Sequence, residues 1–417
     1  MPRVSMASES PQPEMRPTAT VAASSAATIA LGILTAGLVT VLVGFSSSYP
    51  IVVQAGAAMG LTAAQLATMT AALSLGMGLT CLLPSVWLKI PVVIAWSTPG
   101  AALLVVSLQG VPLPQAIGAF LACGLLLTIA GASGLFERWM SRIPLSLASA
   151  LLAGVLLRFG IEAFSSLRSA AQIVGPMLVA YLLARRAAPR LSVPITLAVG
   201  LMAFWIVPGA APVADIARLG DTGASLQPLA WPPQFSVPVL LGVTVPLFLV
   251  TMASQNLPGV AVLRAAGYER APVSRLLTIV GLATLFLAPF GVFALNLAAI
   301  TAALCMGPEA HPDPARRWLA AAMAGVFYLT VAVFAGPIAA WFASLPRELV
   351  VAIAGVALLP TIGRSMHAAL LDESQRDPAL VTLLTTASGL TLAGIGSAFW
   401  GVVFGVLTMI VWRPRSA

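Results

Sequence analysis

The residues with chemistry to offer in this chain are hydrogen-bonding groups set inside apolar stretches. Ser97-Thr98-Pro99-Gly100 interrupts the run PVVIAWSTPGAALLV at residues 91–105. Pro91, Val92, Val93 and Ile94 favour extended backbone. Thr98 as N-cap and Pro99 at N1 then start a short helix, where the missing proline N–H costs nothing. Extended chain feeding a half-helix is tolerated at membrane depth only where it is buried in protein or lines a cavity. Half-helix N-termini carry partial positive charge and unpaired N–H groups, so the chemistry implied is anion binding. Pro289–Met306 reads the same way, with Phe290, Val292 and Phe293 extended and Asn296 capping a half-helix over Leu297–Met306. The plain alternative is that Thr98 and Asn296 cap ordinary broken helices.

Ser254-Gln255-Asn256 and Ser46-Ser47-Ser48 place hydroxyls and amides within apolar runs, where they are costly unless paired or functional. Serine can bond back to its own helix. Gln255 and Asn256 are harder to dismiss, although interhelical hydrogen bonding would also account for them. Phe45, Tyr49, Trp96 and Phe293 lie close by and could sandwich a flat ring, packing being the commoner use of such side chains. No Asp, Glu, Lys or His falls in the middle of an apolar run. Arg158 and Glu162, four apart near the end of one run, either pair on a helix face or serve proton movement. The sequence has no His/Cys/carboxylate cluster at metal spacing, no phosphate-binding glycine loop and no nucleophile elbow, so neither metal, cofactor nor enzyme activity is expected.

The elements that must position these groups are membrane spans. The 417 residues are 59% hydrophobic and 8% charged, with mean hydropathy +1.00. A soluble domain is about 25% charged, and runs of about 20 apolar residues mark transmembrane helices. The chain therefore reads as an all-α integral membrane protein. Its net charge of +8 reflects the positive-inside bias of loops and not a nucleic-acid partner. Cys81, Cys123 and Cys305 lie in separate apolar runs and read as small buried hydrophobes. Residues 1–26 lack an apolar core and read as a disordered cytoplasmic tail, not a signal peptide.

Fourteen spans follow: 27–58, 62–85, 91–108, 114–136, 144–166, 170–185 and 192–208, then 236–260, 272–288, 289–307, 317–342, 346–363, 378–395 and 397–412. A Pro-rich linker at 209–235 separates the two sets. With both termini in the cytoplasm, only Arg158, Arg168, Arg218 and Arg347 of the 21 Lys and Arg fall outside. The halves also echo each other. Ile143-Pro144 and its helix resemble Leu345-Pro346 and its helix, an offset near 202. Phe45–Pro50 resembles Ala253–Pro258 at 208, and Pro91–Thr98 resembles Pro289–Asn296 at 198. Seven spans per copy is odd, so 27–208 and 236–412 form an inverted repeat, with both half-helices aimed at one midplane site.

At VGFSSSYPIVVQA (43–55), LSLGMGLT (73–80), PVVIAWSTPGAALL (91–104), SQNLPGVAVLRAAGY (254–268) and PFGVFALNLAAITAALCMGPEAHPDPARR (289–317) the sequence resembles the benzoate:proton symporter, or BenE-type, family. The resemblance runs from about Ile29 to Trp412. It implies a bacterial inner-membrane carrier that takes up benzoate or a similar aromatic carboxylate with a proton. More distantly it implies the fold of uracil and sulfate transporters, with a core domain (27–136 and 236–342) and a gate domain (144–208 and 346–412). In that fold the substrate sits between spans 3 and 10. The expected site is then Ser97, Thr98 and Gly100 with Asn296 and Leu297 on the carboxylate, and Ser46, Ser47, Gln255 and Asn256 as donors. Nucleobase carriers of that fold bear carboxylates on spans 8 and 10, in the regions where this chain has Gln255 and Asn296; the departure suits an anion and leaves the proton route open, with Glu162 as one candidate. Carriage of another substrate on the same fold, and a passive anion channel, stay open. Related folds often form homodimers, for which no surface feature of the sequence speaks.

Overall fold

The computed structural model describes residues 26–134, 144–206 and 229–412. The expected tail, most of the 209–235 linker and Arg138, Arg142 and Arg218 lie outside them. The first seven spans are α1 (Ala26–Ala58), α2 (Ala63–Leu88), β1 (Ile94–Trp96) with α3 (Thr98–Ser107), α4 (Leu113–Ala132), α5 (Leu145–Ser165), α6 (Leu167–Ala187) and α7 (Ser192–Ile206). The second seven are α8 (Val237–Ala265), α9 (Val273–Leu287), β2 (Leu295–Leu297) with α10 (Ile300–Met306), α11 (Trp318–Val333) with α12 (Ala335–Ala343), α13 (Arg347–Leu370), α14 (Arg376–Ala387) and α15 (Ser397–Val411). Nine helices among the described residues are long and apolar enough to cross a bilayer. Leu31, Leu182, Trp205, Phe286 and Val411 stand exposed on the outside, an arrangement suited to lipid and not to water.

The packing has the symmetry of the repeat. α2 packs along α11, and α4 along α9; replacing each span by the one seven places on turns the first pair into the second. The same exchange relates α6–α7 to α14–α15, and α1–α10 to α8–α3, while α5–α13 and β1–β2 map onto themselves. The strands pair antiparallel, with Ala95 opposite Asn296. On either side, Ser97 N–H donates to Ala294 O and Ala298 N–H to Val93 O, both at 2.9 Å. These two bonds exchange under a shift of 201 residues. The offset of 198 read from the prolines is therefore corrected to 201 at this point of the fold.

The helix starts within the breaks also differ from those the sequence suggests. Extended pairing begins at Ile94, so the N-cap of α3 is Ser97 and not Thr98. In the second copy Ala288–Phe290 forms a single 3-10 turn, Gly291 takes φ +89°, and pairing occupies Leu295–Leu297. Asn296 thus lies inside a strand and caps nothing; α10 begins at Ile300, with Ala299 as a cap that makes no side-chain bond. The backbone around Asn296 is consumed by pairing with β1, which forbids a helix start there. At 1.5 Å per residue α3 and α10 are about 15 and 10 Å long, so each needs its strand to complete a crossing of about 30 Å.

By their most extensive contacts, helices α1–α4 and α8–α12 group with the strands as one bundle and α5–α7 and α13–α15 as a second, with α1 also touching α7 and α13. Glycine permits the closest approaches in the first. A Cβ on Gly281 would lie 2.4 Å from Thr128 N, and one on Gly131 2.4 Å from Thr278 N. Small residues of this kind let transmembrane backbones touch. Gly281→Ala is therefore expected to lower the melting temperature of the detergent-purified protein, at a cost of about 1–3 kcal/mol. Gly175→Ala, where a Cβ meets nothing within 4 Å, should leave it unchanged. Equal melting of the two variants would contradict this packing.

Candidate functional site

A cavity of about 670 Å³ lies between the two bundles, within the usual range of about 300–1,000 Å³ for ligand sites. One wall comes from α1, Met77 of α2, β1, the start of α3, the segment from Ala298 into α10, α8 and Tyr328 of α11; the other comes from α5 and α13. It runs from the exposed side chains of Leu145 and Arg364 inward to the buried Trp96.

Two strands of extended backbone this deep need partners for every N–H, and side chains of neighbouring helices supply them. Ile94 N–H donates to Cys81 Sγ at 3.1 Å, and its equivalent Leu295 N–H donates to Thr284 Oγ1 at 3.0 Å. Cys81 is more than a small hydrophobe: it occupies the position of a hydroxyl. Leu297 N–H donates to Asn256 Oδ1 at 2.9 Å. At the matching place in the first copy, Trp96 Nε1–H donates to Ser48 Oγ at 2.9 Å. Ser97 Oγ accepts from Gly100 N–H at 3.1 Å and from Thr251 Oγ1 at 2.9 Å, which ties the start of α3 to α8.

The serine–amide triplet of α8 sits on a π-helical turn, Met252–Asn256, whose closing bond runs from Leu257 N–H back to Met252 O. Such turns widen a helix by one residue and recur at functional sites. Here the turn sends Asn256 to the strand and Gln255 into the cavity, its amide bonded to no described residue.

The far end of α10 is closed by the loop after it. Arg317 Nη1 donates to Met306 O at 2.8 Å and its Nε to His311 O at 3.0 Å. His311 Nδ1 accepts from Asp313 N–H at 3.0 Å, and Tyr268 Oη donates to Pro314 O at 2.8 Å. A seven-residue helix has few carbonyls to lose, and this loop satisfies its last one.

Of the residues singled out by sequence, Ser47, Ser48, Trp96, Thr98, Pro99, Ser254 and Gln255 line the cavity. Ser46 does not; its hydroxyl donates to Val43 O. Ser97, Gly100, Asn256, Asn296 and Leu297 are buried behind the lining. Asn296 Nδ2 is committed to Leu297 O at 3.0 Å, and its Oδ1 is buried without a partner. Phe45 packs edge-on to Trp96 at 4.8 Å, and Tyr49 is buried against Phe342 at 4.7 Å with its hydroxyl on Thr70. Phe293 packs on Phe120, away from the cavity. Glu162 pairs with Arg158 at 2.7 Å on the exposed flank of α5, about 15 Å along the helix from Leu152.

Sequence reading missed Ser149, Thr301, Tyr328, Thr361 and Arg364, all of which line the cavity. The signal was there for α13: Ala357, Thr361, Arg364 and Ala368 recur at helical spacing on one face.

A family model described as benzoate membrane transport protein matches residues 27–411. The chain belongs to this family. The Acinetobacter baylyi "Benzoate membrane transport protein" is 36% identical over 386 residues, covering 92% of this chain and 95% of that one. The Escherichia coli (strain K12) "Inner membrane protein YdcO" is 47% identical over 387 residues, covering 92% and 97%. Among solved structures, the transmembrane domain of the cyanobacterial bicarbonate transporter BicA matches with a TM-score of 0.48 and 13% identity, covering 92% of this chain and 96% of that one.

Adjacent residues of this family member thus divide between structure and cavity, and two substitutions separate them. Asn256→Ala strands the Leu297 N–H and is expected to cost about 1–3 kcal/mol, read as a lower melting temperature. Gln255→Ala should leave melting unchanged and slow substrate uptake roughly 2- to 10-fold, the worth of one hydrogen bond. The reverse pattern would mean that Asn256 faces the ligand.

Proposed function

We propose that this protein imports an aromatic carboxylate, benzoate or a near relative, together with a proton across the bacterial inner membrane by alternating access. The observation that carries the reading is the lining of the cavity. Hydroxyls, the Gln255 amide and the start of α3 face it, no carboxylate does among the described residues, and Trp96 with apolar side chains offers a ring a place to pack. Family membership and the Acinetobacter relative point to the same cargo.

Thr98 and Pro99, in the first turn of α3, face the cavity with the positive end of that helix, which suits a carboxylate. In the orientation favoured by the charge bias, Leu145 and Arg364 lie at the cytoplasmic end, so the cavity is open inward. The bundle of α1–α4 and α8–α12 then acts as the core and the bundle of α5–α7 and α13–α15 as the gate. Relative movement of the two closes this mouth and opens the opposite one. Glu162, paired outside the cavity, stands apart from this path. A second reading has a specific observation behind it: the relative of higher identity, YdcO, carries no substrate in its name. Another organic anion on the same site is that reading.

Labelled benzoate offered to proteoliposomes under an imposed pH gradient, acidic outside, should accumulate above its equilibrium level, and a protonophore should abolish the excess. Equilibration without accumulation would mean a channel. Absence of benzoate flux beside flux of a different carboxylate would mean the second reading.

A further inference from the structure

Arg364 is the one charged side chain among the described residues that line the cavity. It stands on α13 with Thr361 and Ser365 beside it, on the same helical face as Ala357 and Ala368. We propose that Arg364 is the counter-ion that receives the substrate carboxylate at the mouth of the cavity, and that it biases the carrier towards anions. This rests on the carboxylate-transport reading given above.

Three observations support the assignment. The residue belongs to the cavity: the helical repeat that puts Ala357 and Thr361 on its wall puts Arg364 there too. It is also uncommitted. Its one hydrogen bond is a long one, Nη2 to Thr361 Oγ1 at 3.4 Å. The ion pairs among the described residues are Arg158–Glu162, Arg316–Asp313 and Arg376–Glu373, none of which involves it. A planar fork of N–H donors without a carboxylate partner can bind a cargo carboxylate in two-point fashion. Finally, its placement complements the opposite wall. The deep end offers neutral donors and a helix start from the first bundle, whereas Arg364 comes from the second, seven residues or about 10 Å along α13 from Ala357. A carboxylate leaving the deep end therefore meets a fixed positive charge on its way out, and one arriving from that side is drawn in by it.

An arginine that served only to orient the helix in the membrane would have no contact with cargo, and the two roles separate experimentally. Equilibrium binding of labelled benzoate to purified protein should weaken about tenfold in Arg364→Gln and lose much of its dependence on ionic strength. Arg364→Lys should retain most of the affinity. An independent measurement uses the unaltered protein. Phenylglyoxal labelling of Arg364, followed by mass spectrometry, should be slowed by benzoate, while labelling of the exposed Arg316 should not. Wild-type protein that binds benzoate, with Arg364→Gln binding it equally well and Arg364 unprotected from phenylglyoxal, overturns the role of Arg364 alone. Wild-type protein that neither binds nor transports benzoate overturns the carboxylate reading and this inference with it.

Discussion

Two pieces of extended backbone cross the interior of this membrane protein, and every polar group along them must be satisfied without water. An unpaired N–H or C=O in hydrocarbon costs several kcal/mol, so this one requirement outweighs most packing preferences nearby. β1 and β2 satisfy each other along one edge through the Ala95–Asn296 register and its flanking bonds. Their other N–H groups need side chains, and Cys81, Thr284 and Asn256 are delivered for that purpose by α2, α9 and α8. Helices can only deliver them from close range. The glycine contacts between α4 and α9, and the loop that ties Arg317 to the end of α10, belong to the same solution.

That requirement sorts the polar residues into two populations. Ser97 and Thr98 are neighbours, as are Asn256 and Gln255, yet the first of each pair holds the strand framework together and the second faces the cavity. The skeleton is close to two-fold symmetric, but its chemistry is not. The first half-helix has a serine cap and the second has none; Trp96 meets a serine where Leu297 meets an asparagine. A symmetric frame can rock between two openings, while an asymmetric lining can hold a ligand that has a charged end and an apolar end.

The class, the number of spans and the two breaks were legible because hydropathy and proline punctuation are local signals. All fourteen expected spans have a counterpart in the helices and strand–helix units observed. The positions within the breaks were less so. Pro91 and Pro289 look equivalent, but the turn at Ala288–Phe290 and the left-handed Gly291 add length before β2, so alignment on the prolines slipped by three residues. That slip is what put Asn296 at a helix cap. The serines of α1 show the other limit: Ser46, Ser47 and Ser48 are the same residue type in a row, and only the helix face decides that two of them reach the cavity.

By itself the sequence determined that the chain spans a membrane, that it is duplicated in inverted form, and that spans 3 and 10 are interrupted. Apolar length, an odd number of spans per copy and helix-breaking residues fix those points locally. Only the tertiary structure decided which polar groups are spent on backbone and which remain for a ligand. Hydrogen-bond satisfaction at depth is a matter of distances between segments far apart in the chain, such as Asn256 and Leu297 or Cys81 and Ile94. The same holds for Arg364: its charge is plain in the sequence, but its place on the cavity wall depends on α13 packing across from the strands.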